Sequence, residues 1–251
     1  ITQGHLIEAK KSYEHGLQLA TKPGAPTLRG AADMFVGLSE IYRERNDLHS
    51  ALQQLLKSKQ LGDLNGLPKN PYRSRVAMAR LREIQGNLSE ALDLLEEAEK
   101  FYLSDFSPNV HPIQALKVRI WIKQGEIEKA FVWAQERNLS ATEDVSYLRE
   151  FEQITFARIL LYQYQHERTI QFLQEALEML NRLLRAADEG GRRGSVIEIL
   201  ILLSIVHQLQ GDTPSAHTSL VRALKMAEPE GYMRVFLDEG SSLEKLIREV
   251  N

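Results

Sequence analysis

The feature that most constrains this chain is a short spacing that recurs six times along it. In each copy a turn residue, or a residue in its place, precedes a small residue by five positions, and apolar residues follow at helical spacing. Successive copies lie 42, 40, 39, 39 and 47 residues apart. Such a period is typical of repeat architectures, in which each unit buries its apolar face against its neighbours. The six pairs are Gly4/Ala9, Asn46/Ala51, Gly86/Ala91, Gly125/Ala130, Tyr164/Thr169 and Gly211/Ala216.

The residues around each pair predict a helical hairpin. A packing residue such as Leu55, Leu95 or Leu220 follows the small residue by four positions, and a helix-like stretch such as "AADMFVGLSEIYRER" lies upstream. Small residues at this place let two helices approach closely, as in the second helix of a tetratricopeptide hairpin. We therefore predict an all-α fold: a right-handed superhelix of tetratricopeptide-like helix hairpins, with about five full repeats, a partial N-terminal repeat and a C-terminal capping helix.

The predicted organisation is a single tetratricopeptide-like superhelical domain over residues 1–251. Turns are expected near residues 4, 46, 86, 125, 164 and 211, loops at 21–27, 62–71, 104–112 and 189–195, and an exit or capping segment at 228–251. The stretch "DTP" at Asp212–Pro214 predicts a helix cap followed by proline in the first turn. Because Gly4 lies only three residues from the chain start, the first copy lacks its first helix. We therefore expect the chain to be a fragment of a longer protein.

Composition argues against several classes of function. A net charge of −3 argues against a broad nucleic-acid surface, which needs an excess of Lys and Arg. The absence of Cys excludes disulfides, thiol catalysis and Cys-based zinc sites, and it fits a cytoplasmic location. The longest apolar run, Ile199–Leu203, is too short to span a bilayer. We expect neither direct nucleic-acid contact nor insertion into a membrane.

The sequence lacks the common catalytic and metal-binding motifs. It has no G-x-x-x-x-G-K-[ST] phosphate loop, and "GGRRG" at Gly190–Gly194 follows a predicted helix rather than a strand, which favours a simple loop. The seven His residues form neither an H-x-x-x-H nor an H-E-x-x-H pair. We therefore predict a protein that is not an enzyme, with no catalytic residue, no metal site and no cofactor in this chain.

Three stretches carry a resemblance to a known family: "GLSEIYRERNDLHSALQQL", "RIWIKQGEIEKAFVWAQERNLS" and "ALKMAEPEGYMRVFLDEG". They resemble the repeat region of MalT-like regulators, which are large ATP-binding transcription activators of the LuxR class. The likeness covers essentially the whole chain. The stretch "EPEGYMRVFLDEG" resembles the family's exit from the last repeat toward the DNA-binding domain, and the alternative is that it only caps the open end of the array.

The resemblance implies a sensor function and a set of partners. It implies that an NTPase module precedes the repeats and that a LuxR-type helix-turn-helix domain follows them in the parent chain. The repeat superhelix would bind a small-molecule inducer or a regulatory protein. Binding would control ATP-dependent self-association and DNA binding by the flanking domains.

The first helix of each predicted hairpin supplies the candidate binding residues. If each turn anchor is position 15 of its repeat, position 9, which usually faces the concave side, is Glu40, Arg80, Arg119, Arg158 and Ile205. Neighbouring helices pack roughly 8–10 Å apart, so three arginines predict a ladder along the inner groove with Tyr162 stacking beneath it. A guanidinium row suits a polar or anionic ligand. The candidate ligand-binding residues are Glu40, Arg43, Arg80, Glu83, Arg119, Lys123, Arg158 and Tyr162.

Two alternatives stay open at this point. The arginine stems can pack along apolar helix surface while their charged ends pair with Glu of adjacent repeats. The chain can also be a free-standing tetratricopeptide scaffold that binds peptide segments of protein partners in its groove. The carboxylate-clamp form of such a scaffold needs Lys and Asn at positions 5 and 9, and this chain does not supply them. Position 5 is Val36, Val76, Ala115, Ile154 and Ile201.

Overall fold

The computed structural model describes residues 4–22, 24, 26–62, 66–103 and 109–250. These residues form α-helices, a short 3-10 turn and connecting loops, with no β-strand among them. The predicted all-α fold of tetratricopeptide-like hairpins is therefore confirmed. The chain divides into two compact units. Unit 1 consists of His5–Ser107 and Glu230–Arg234, and unit 2 consists of Gly4, Pro108–Pro229 and Val235–Asn251.

Unit 1 is built from one single helix and two helical hairpins. The helices α2 and α3 form the first hairpin, α4 and α5 form the second, and α1 packs on α2. The first helices of the two hairpins, α2 and α4, lie side by side. The bounds are α1 (Leu6–Ala20), α2 (Ala31–Glu44), α3 (Leu48–Leu61), α4 (Asn70–Ile84) and α5 (Leu88–Lys100).

Unit 2 contains three further hairpins and a closing helix. The hairpins are α6 with α7, α8 with α9, and α10 with α11, and the first helix α8 packs against both α6 and α10. The last helix, α13, covers α10 and α11 with Leu243 and Leu246, which are fully buried. The bounds are α6 (Ile113–Gln124), α7 (Ile127–Glu136), α8 (Glu150–Glu167), α9 (Ile170–Glu189), α10 (Arg193–Leu209), α11 (Thr213–Ala227), α12 (Arg234–Leu237) and α13 (Ser241–Val250).

The turns and the first buried residues of four hairpins follow the predicted spacing. The chain takes left-handed φ values at the turns, 59° at Asn46 and 77° to 81° at three glycines, a conformation that Gly and Asn adopt most easily. Five residues beyond each turn, an alanine is completely buried where the two helices meet. The turn and alanine pairs are Asn46/Ala51, Gly86/Ala91, Gly125/Ala130 and Gly211/Ala216.

The fifth predicted turn, expected near residue 164, lies four residues later than the sequence suggested. Helix α8 continues through Glu167, so Tyr164 lies inside it, and the chain reverses at Arg168 with a φ of 57°. Thr169 is an exposed residue at the start of α9, and Leu173 is the first fully buried residue of that helix. A left-handed turn at an arginine carries no glycine to mark it, which is why the spacing misplaced it.

The predicted cap of α11 is confirmed. The Asp212 carboxylate accepts a hydrogen bond from the Ser215 backbone N–H at 3.1 Å, with Pro214 in the first turn. The loop predicted at 189–195 shrinks to Gly190–Arg192, because α10 begins at Arg193. The other three predicted loops lie partly outside the described residues. The chain divides into two compact units, and its organisation as one single domain stays a prediction.

The segment that the sequence singled out near the C-terminus makes contacts far along the chain. In unit 1 the Met233 N–H donates to the Glu44 carbonyl at 2.9 Å, and Arg45 donates to the Glu230 carbonyl at 3.1 Å. The residues from Val235 onward belong to unit 2, and Phe236 among them is buried. The segment is therefore a packed part of the fold rather than an extended tail.

Candidate functional site

Unit 1 brings Arg80 together with three other predicted site residues, Glu40, Arg43 and Glu83. Its guanidinium lies 4.0 Å from a Glu40 carboxylate oxygen and 3.9 Å from that of Glu44. Both distances exceed those of a hydrogen bond. Arg43 is buried and forms an ion pair with Glu44, and Glu83 adds a third nearby negative charge. Arg80 is therefore attracted to carboxylates without a tight bond to any of them.

The electrostatics of Arg80 follow from this arrangement. Burial, followed by repulsion from the Arg43 charge, lowers the pKa of Arg80, while Glu44, Glu40 and Glu83 act in the opposite direction. The side chain still exposes 29% of its surface. A guanidinium has five N–H donors, so this one retains donors that a polar ligand can use.

Unit 2 joins two of the predicted arginines through one carboxylate. Arg119 on α6 and Arg158 on α8 both contact the same oxygen of Glu198 on α10, at 2.8 Å and 2.9 Å. Arg119 also donates to the Thr155 hydroxyl at 2.9 Å, and its guanidinium lies 3.8 Å from the ring centre of Phe151. The three first helices of this unit are therefore linked by a chain of charged groups, which we call the arginine cluster: Arg119, Arg158, Glu198 and Glu239.

Glu239 completes the arginine cluster from the C-terminal segment. Its two carboxylate oxygens accept hydrogen bonds from the two terminal nitrogens of Arg158, at 2.7 Å and 3.0 Å. This two-pronged geometry is the strongest that an arginine and a carboxylate can form. The Glu239 side chain is only 9% exposed and that of Arg158 is 20% exposed.

Two residues of the arginine cluster have shifted pKa values, and both shifts favour the charged form of the side chain. Burial alone would raise the pKa of Glu198, but the charges of Arg119 and Arg158 lower it to about 2. Burial would likewise lower the pKa of Arg158, and the attraction to Glu239 and Glu198 outweighs that effect and raises it. The cluster is thus a compensated group of two cations and two anions.

Two further predicted site residues, Tyr162 and Lys123, lie on α8 and α6. Tyr162 stacks on His166, one helical turn further along α8, with the ring centres 4.2 Å apart. The ring that lies against Arg119 is that of Phe151 and not that of Tyr162. Lys123 is exposed in the last turn of α6.

The pairing of arginines with carboxylates is what the structural alternative predicts for these positions. Ile205, the fifth residue of the predicted row, is a buried core residue, 4% exposed. Binding of a ligand by any of the eight candidates stays a prediction. Arg80 differs from Arg119 and Arg158 in that its carboxylate contacts are long, and it is the arginine best placed to take an external partner.

The sequence interpretation missed both carboxylates of the arginine cluster. Glu198 lies seven residues before Ile205, which is two turns along the same face of α10, so helical spacing contained a signal for it. Glu239 had no such signal, because it follows α12 and reaches Arg158 across 81 residues of sequence.

Two other kinds of feature are absent from the described residues. Within 4–22, 24, 26–62, 66–103 and 109–250, no three His, Asp or Glu side chains come together in a way that could hold a metal ion. No helix in the same ranges combines the length and the apolar character needed to cross a bilayer.

Comparisons with known proteins identify the family. None of the curated proteins compared with this chain matches it. One solved structure that it resembles is the crystal structure of BtubC (BKLC) from P. vanneervenii, with 18% identity and a TM-score of 0.47, over 91% of this chain and 92% of that chain. The family model described as the MalT-like TPR region matches residues 1–251, which is the whole sequence. The chain therefore belongs to the MalT-like TPR region family.

Proposed function

We propose that this chain is the sensor region of a MalT-like, LuxR-class transcription regulator of the cytoplasm. It binds a small-molecule inducer or a regulatory protein. Binding controls the ATP-dependent self-association and the DNA binding that flanking NTPase and helix-turn-helix domains carry out in the parent protein. The observation that carries this proposal is the family match over residues 1–251.

The mechanism is a shift between two arrangements of the repeats. A ligand moves such an equilibrium only by as much as it binds one arrangement more tightly than the other. The first contact point is the group around Arg80 in unit 1, where long ion pairs at 3.9 Å and 4.0 Å leave guanidinium donors for a polar ligand. Glu40, Arg43 and Glu83 surround it.

The function is binding rather than catalysis, and nucleotide chemistry belongs to a separate module. The sequence has no phosphate loop that could hold a nucleotide. No cofactor is therefore assigned to this region. Contact with DNA is likewise assigned to the helix-turn-helix domain and not to these repeats, whose net charge is −3.

The coding sequence on both sides of residues 1–251 tests the domain context. We expect a phosphate-binding loop upstream and a helix-turn-helix downstream. A start codon just before Ile1 together with a stop codon just after Asn251 would overturn the regulator proposal and leave the scaffold alternative.

A thermal-shift screen of sugars, phenolics and short peptides tests the binding role directly. A ligand at about 100 times its dissociation constant stabilises the fold by about 2.7 kcal/mol. We expect Arg80→Gln to abolish that shift. The matched control is Arg82→Gln, because Arg82 lies on the same helix with the same 29% side-chain exposure but pairs with Glu90 at 2.8 Å. A full shift in Arg80→Gln would remove Arg80 from the site.

The scaffold alternative has less support in the described residues. Its carboxylate-clamp form needs polar donors at position 5 of the first helices, facing a bound peptide. Four of the five residues at that position are apolar and at most 2% exposed. These buried residues are Val36, Ala115, Ile154 and Ile201.

A further inference from the structure

Arg80 and Glu40 face each other across a gap that neither side chain closes. Arg80 lies on α4 and Glu40 on α2, two first helices that pack side by side in unit 1. The Arg80 Nη1 atom is 4.0 Å from Glu40 Oε1, whereas an N–H···O hydrogen bond requires about 2.7–3.2 Å. The two opposite charges therefore lie close together without a direct hydrogen bond, and we call Arg80 and Glu40 the open pair.

The other terminal nitrogen of Arg80 is in the same situation. Its Nη2 atom lies 3.9 Å from Glu44 Oε1, and that oxygen is the one that pairs with Arg43. Arg80 is thus the more distant of two cations at one carboxylate oxygen. Both terminal nitrogens of Arg80 consequently retain hydrogen-bond donors that no carboxylate among the described residues accepts.

Exposure to solvent does not explain the gap. Arg82 lies on the same helix with the same 29% side-chain exposure as Arg80. It nevertheless reaches Glu90 at 2.8 Å and Gln85 at 2.7 Å. An ion pair at this depth can therefore close, and the gap of the open pair follows from where α2 and α4 place its two side chains.

The surroundings of Arg80 favour a further anion. Burial is the largest cause that lowers the pKa of Arg80, and repulsion from Arg43 is the second. The attraction of Glu44, Glu40 and Glu83 does not outweigh these two effects. The charged guanidinium is therefore less stable here than in water, and a negative group bound to it would stabilise it.

Glu40 provides the complementary end of the open pair. Its side chain is 26% exposed, so a ligand can reach it. Among the described residues, Arg80 is the only cation within 4.0 Å of its carboxylate. A carboxylate accepts several hydrogen bonds, and an ammonium group donates three. The Glu40 carboxylate is therefore suited to a ligand ammonium.

The size of the gap favours a ligand whose two charges lie close together. A ligand oxygen on Arg80 and a ligand nitrogen on Glu40 each need a hydrogen bond of about 2.9 Å. Because the two protein atoms are only 4.0 Å apart, the two ligand groups must lie about equally near each other. An α-amino acid meets this requirement, because a single carbon atom joins its ammonium and carboxylate groups.

We propose that the open pair binds a small zwitterion of the α-amino acid type, with the ligand carboxylate on Arg80 and the ligand ammonium on Glu40. The inference deepens the proposed sensor function, on which it rests, by naming the chemical class of the inducer. The ligand completes two charged hydrogen bonds that the protein leaves unmade. Charged hydrogen bonds are stronger than neutral ones, so the site prefers a zwitterion to an uncharged polyol.

Calorimetric titration of the 251-residue chain with four small probes tests the site. L-Alanine carries both charges at neutral pH, N-acetyl-L-alanine keeps only the carboxylate, L-alaninamide keeps only the ammonium, and propane-1,2-diol is uncharged. We expect L-alanine to bind about tenfold more tightly than each of the other three, which is the effect of one charged hydrogen bond. Equal affinity of any of the three, or no binding of L-alanine, would overturn the proposal.

Nuclear magnetic resonance locates the bound probe. The side-chain Nε–H signal of Arg80 is identified by its loss in Arg80→Gln. L-Alanine should shift this signal in the wild type and leave that of Arg82 in place, since Arg82 is already paired with Glu90 at 2.8 Å. Binding that leaves the Arg80 signal unmoved would place the zwitterion elsewhere and overturn the assignment.

Two substitutions assign the two ends of the ligand. In Glu40→Gln, L-alanine should bind no more tightly than N-acetyl-L-alanine, because its ammonium has lost its partner. In Arg80→Gln, it should bind no more tightly than L-alaninamide. The matched controls, Arg82→Gln and Glu90→Gln, break the closed pair on the same hairpin and should keep the wild-type affinities. An equal loss of L-alanine affinity in these controls would contradict the assignment.

The two proposals fail in different ways. If the coding sequence shows no flanking regulator domains, the sensor function falls while the L-alanine result on this chain is unaffected. If L-alanine binds no more tightly than its analogues, the zwitterion site falls while the flanking domains still support a sensor.

Discussion

Replacing Glu198 by Gln tests how strongly the arginine cluster stabilises unit 2. The substitution keeps the size of the side chain and removes the one carboxylate oxygen that serves both Arg119 and Arg158, at 2.8 Å and 2.9 Å. Both guanidiniums then lose part of their compensation while they stay largely buried. We expect unit 2 to lose stability without changing its helix content.

The magnitude follows from the pKa of Glu198. It lies at about 2 in the folded chain against an ordinary value of 4.5. Each unit of pKa corresponds to about 1.4 kcal/mol, so the ionised carboxylate stabilises unit 2 by about 3 kcal/mol at neutral pH. The raised pKa of Arg158 reflects the same attraction and is not counted again. Breaking a buried ion pair costs about 3–5 kcal/mol in other proteins, which agrees with this figure.

Tryptophan fluorescence measures the effect in the right part of the molecule. The chain has two Trp residues, Trp121 and Trp133, and both lie in unit 2. Their emission during urea unfolding therefore reports on the unit that contains the cluster. With a slope of about 2–3 kcal/mol per molar urea, we expect Glu198→Gln to lower the midpoint by about 1 M at pH 7.

Acid should reduce the difference between the two proteins. The folded-state pKa of Glu198 is below its unfolded value, so its contribution is complete above about pH 4.5 and is lost as the pH falls toward 2. At pH 3 the difference in unfolding free energy should be about half of that at pH 7. The variant should accordingly be less acid-sensitive than the wild type over this range.

The control is Glu244→Gln, which removes an exposed carboxylate in the same unit. Exposed ion pairs contribute about 0–1 kcal/mol, so its midpoint should barely move. If Glu198→Gln shifts the tryptophan-monitored midpoint no more than this control does, the reasoning about the cluster is refuted.

Three further predictions concern packing and capping in unit 1. Gly37→Ala should lower the melting temperature measured by circular dichroism, because an added methyl overlaps the Tyr13 ring and overpacking costs about 1–3 kcal/mol. Gly16→Ala should be neutral or stabilising, because its added methyl meets only the flexible end of Met34 at 2.9 Å and alanine gains about 1 kcal/mol over glycine in a helix. A lower melting temperature for Gly16→Ala than for Gly37→Ala would contradict this packing. Asp47→Ala should cost about 0.5–1 kcal/mol by removing the cap of α3 and should speed amide exchange in its first turn, so unchanged exchange would count against the cap.

The sequence was sufficient to predict the hairpins wherever a turn carried its own chemical mark. Asn46 and Gly86 adopt the left-handed backbone that their residue types favour, and the buried alanines five residues later follow the same spacing. The turn at Arg168 was misplaced because arginine adopts this conformation there without any preference that the sequence could display. The backbone preference of Asn or Gly fixes the position of a turn, and where no such residue is present, tertiary packing fixes it.

Helical spacing predicted which arginines would lie on the same side of successive helices, and it did so for Arg119 and Arg158. It did not predict their partners. Glu239 comes from a non-helical turn 81 residues away from Arg158, so no period relates the two. Tyr162 found a ring on its own helix at His166, a neighbour four residues on, and this nearby contact was preferred to the predicted stacking beneath the arginines.

The fully buried alanines at the helix contacts have a consequence for how the repeats can differ from one another. Alanine has a single side-chain conformer and loses no rotamer freedom when it is buried. The distance between paired helices is therefore set by backbone against methyl, and not by the length of a side chain that could be repacked. Repeats within one chain can diverge almost everywhere else and still stack with the same spacing. The four residues concerned are Ala51, Ala91, Ala130 and Ala216.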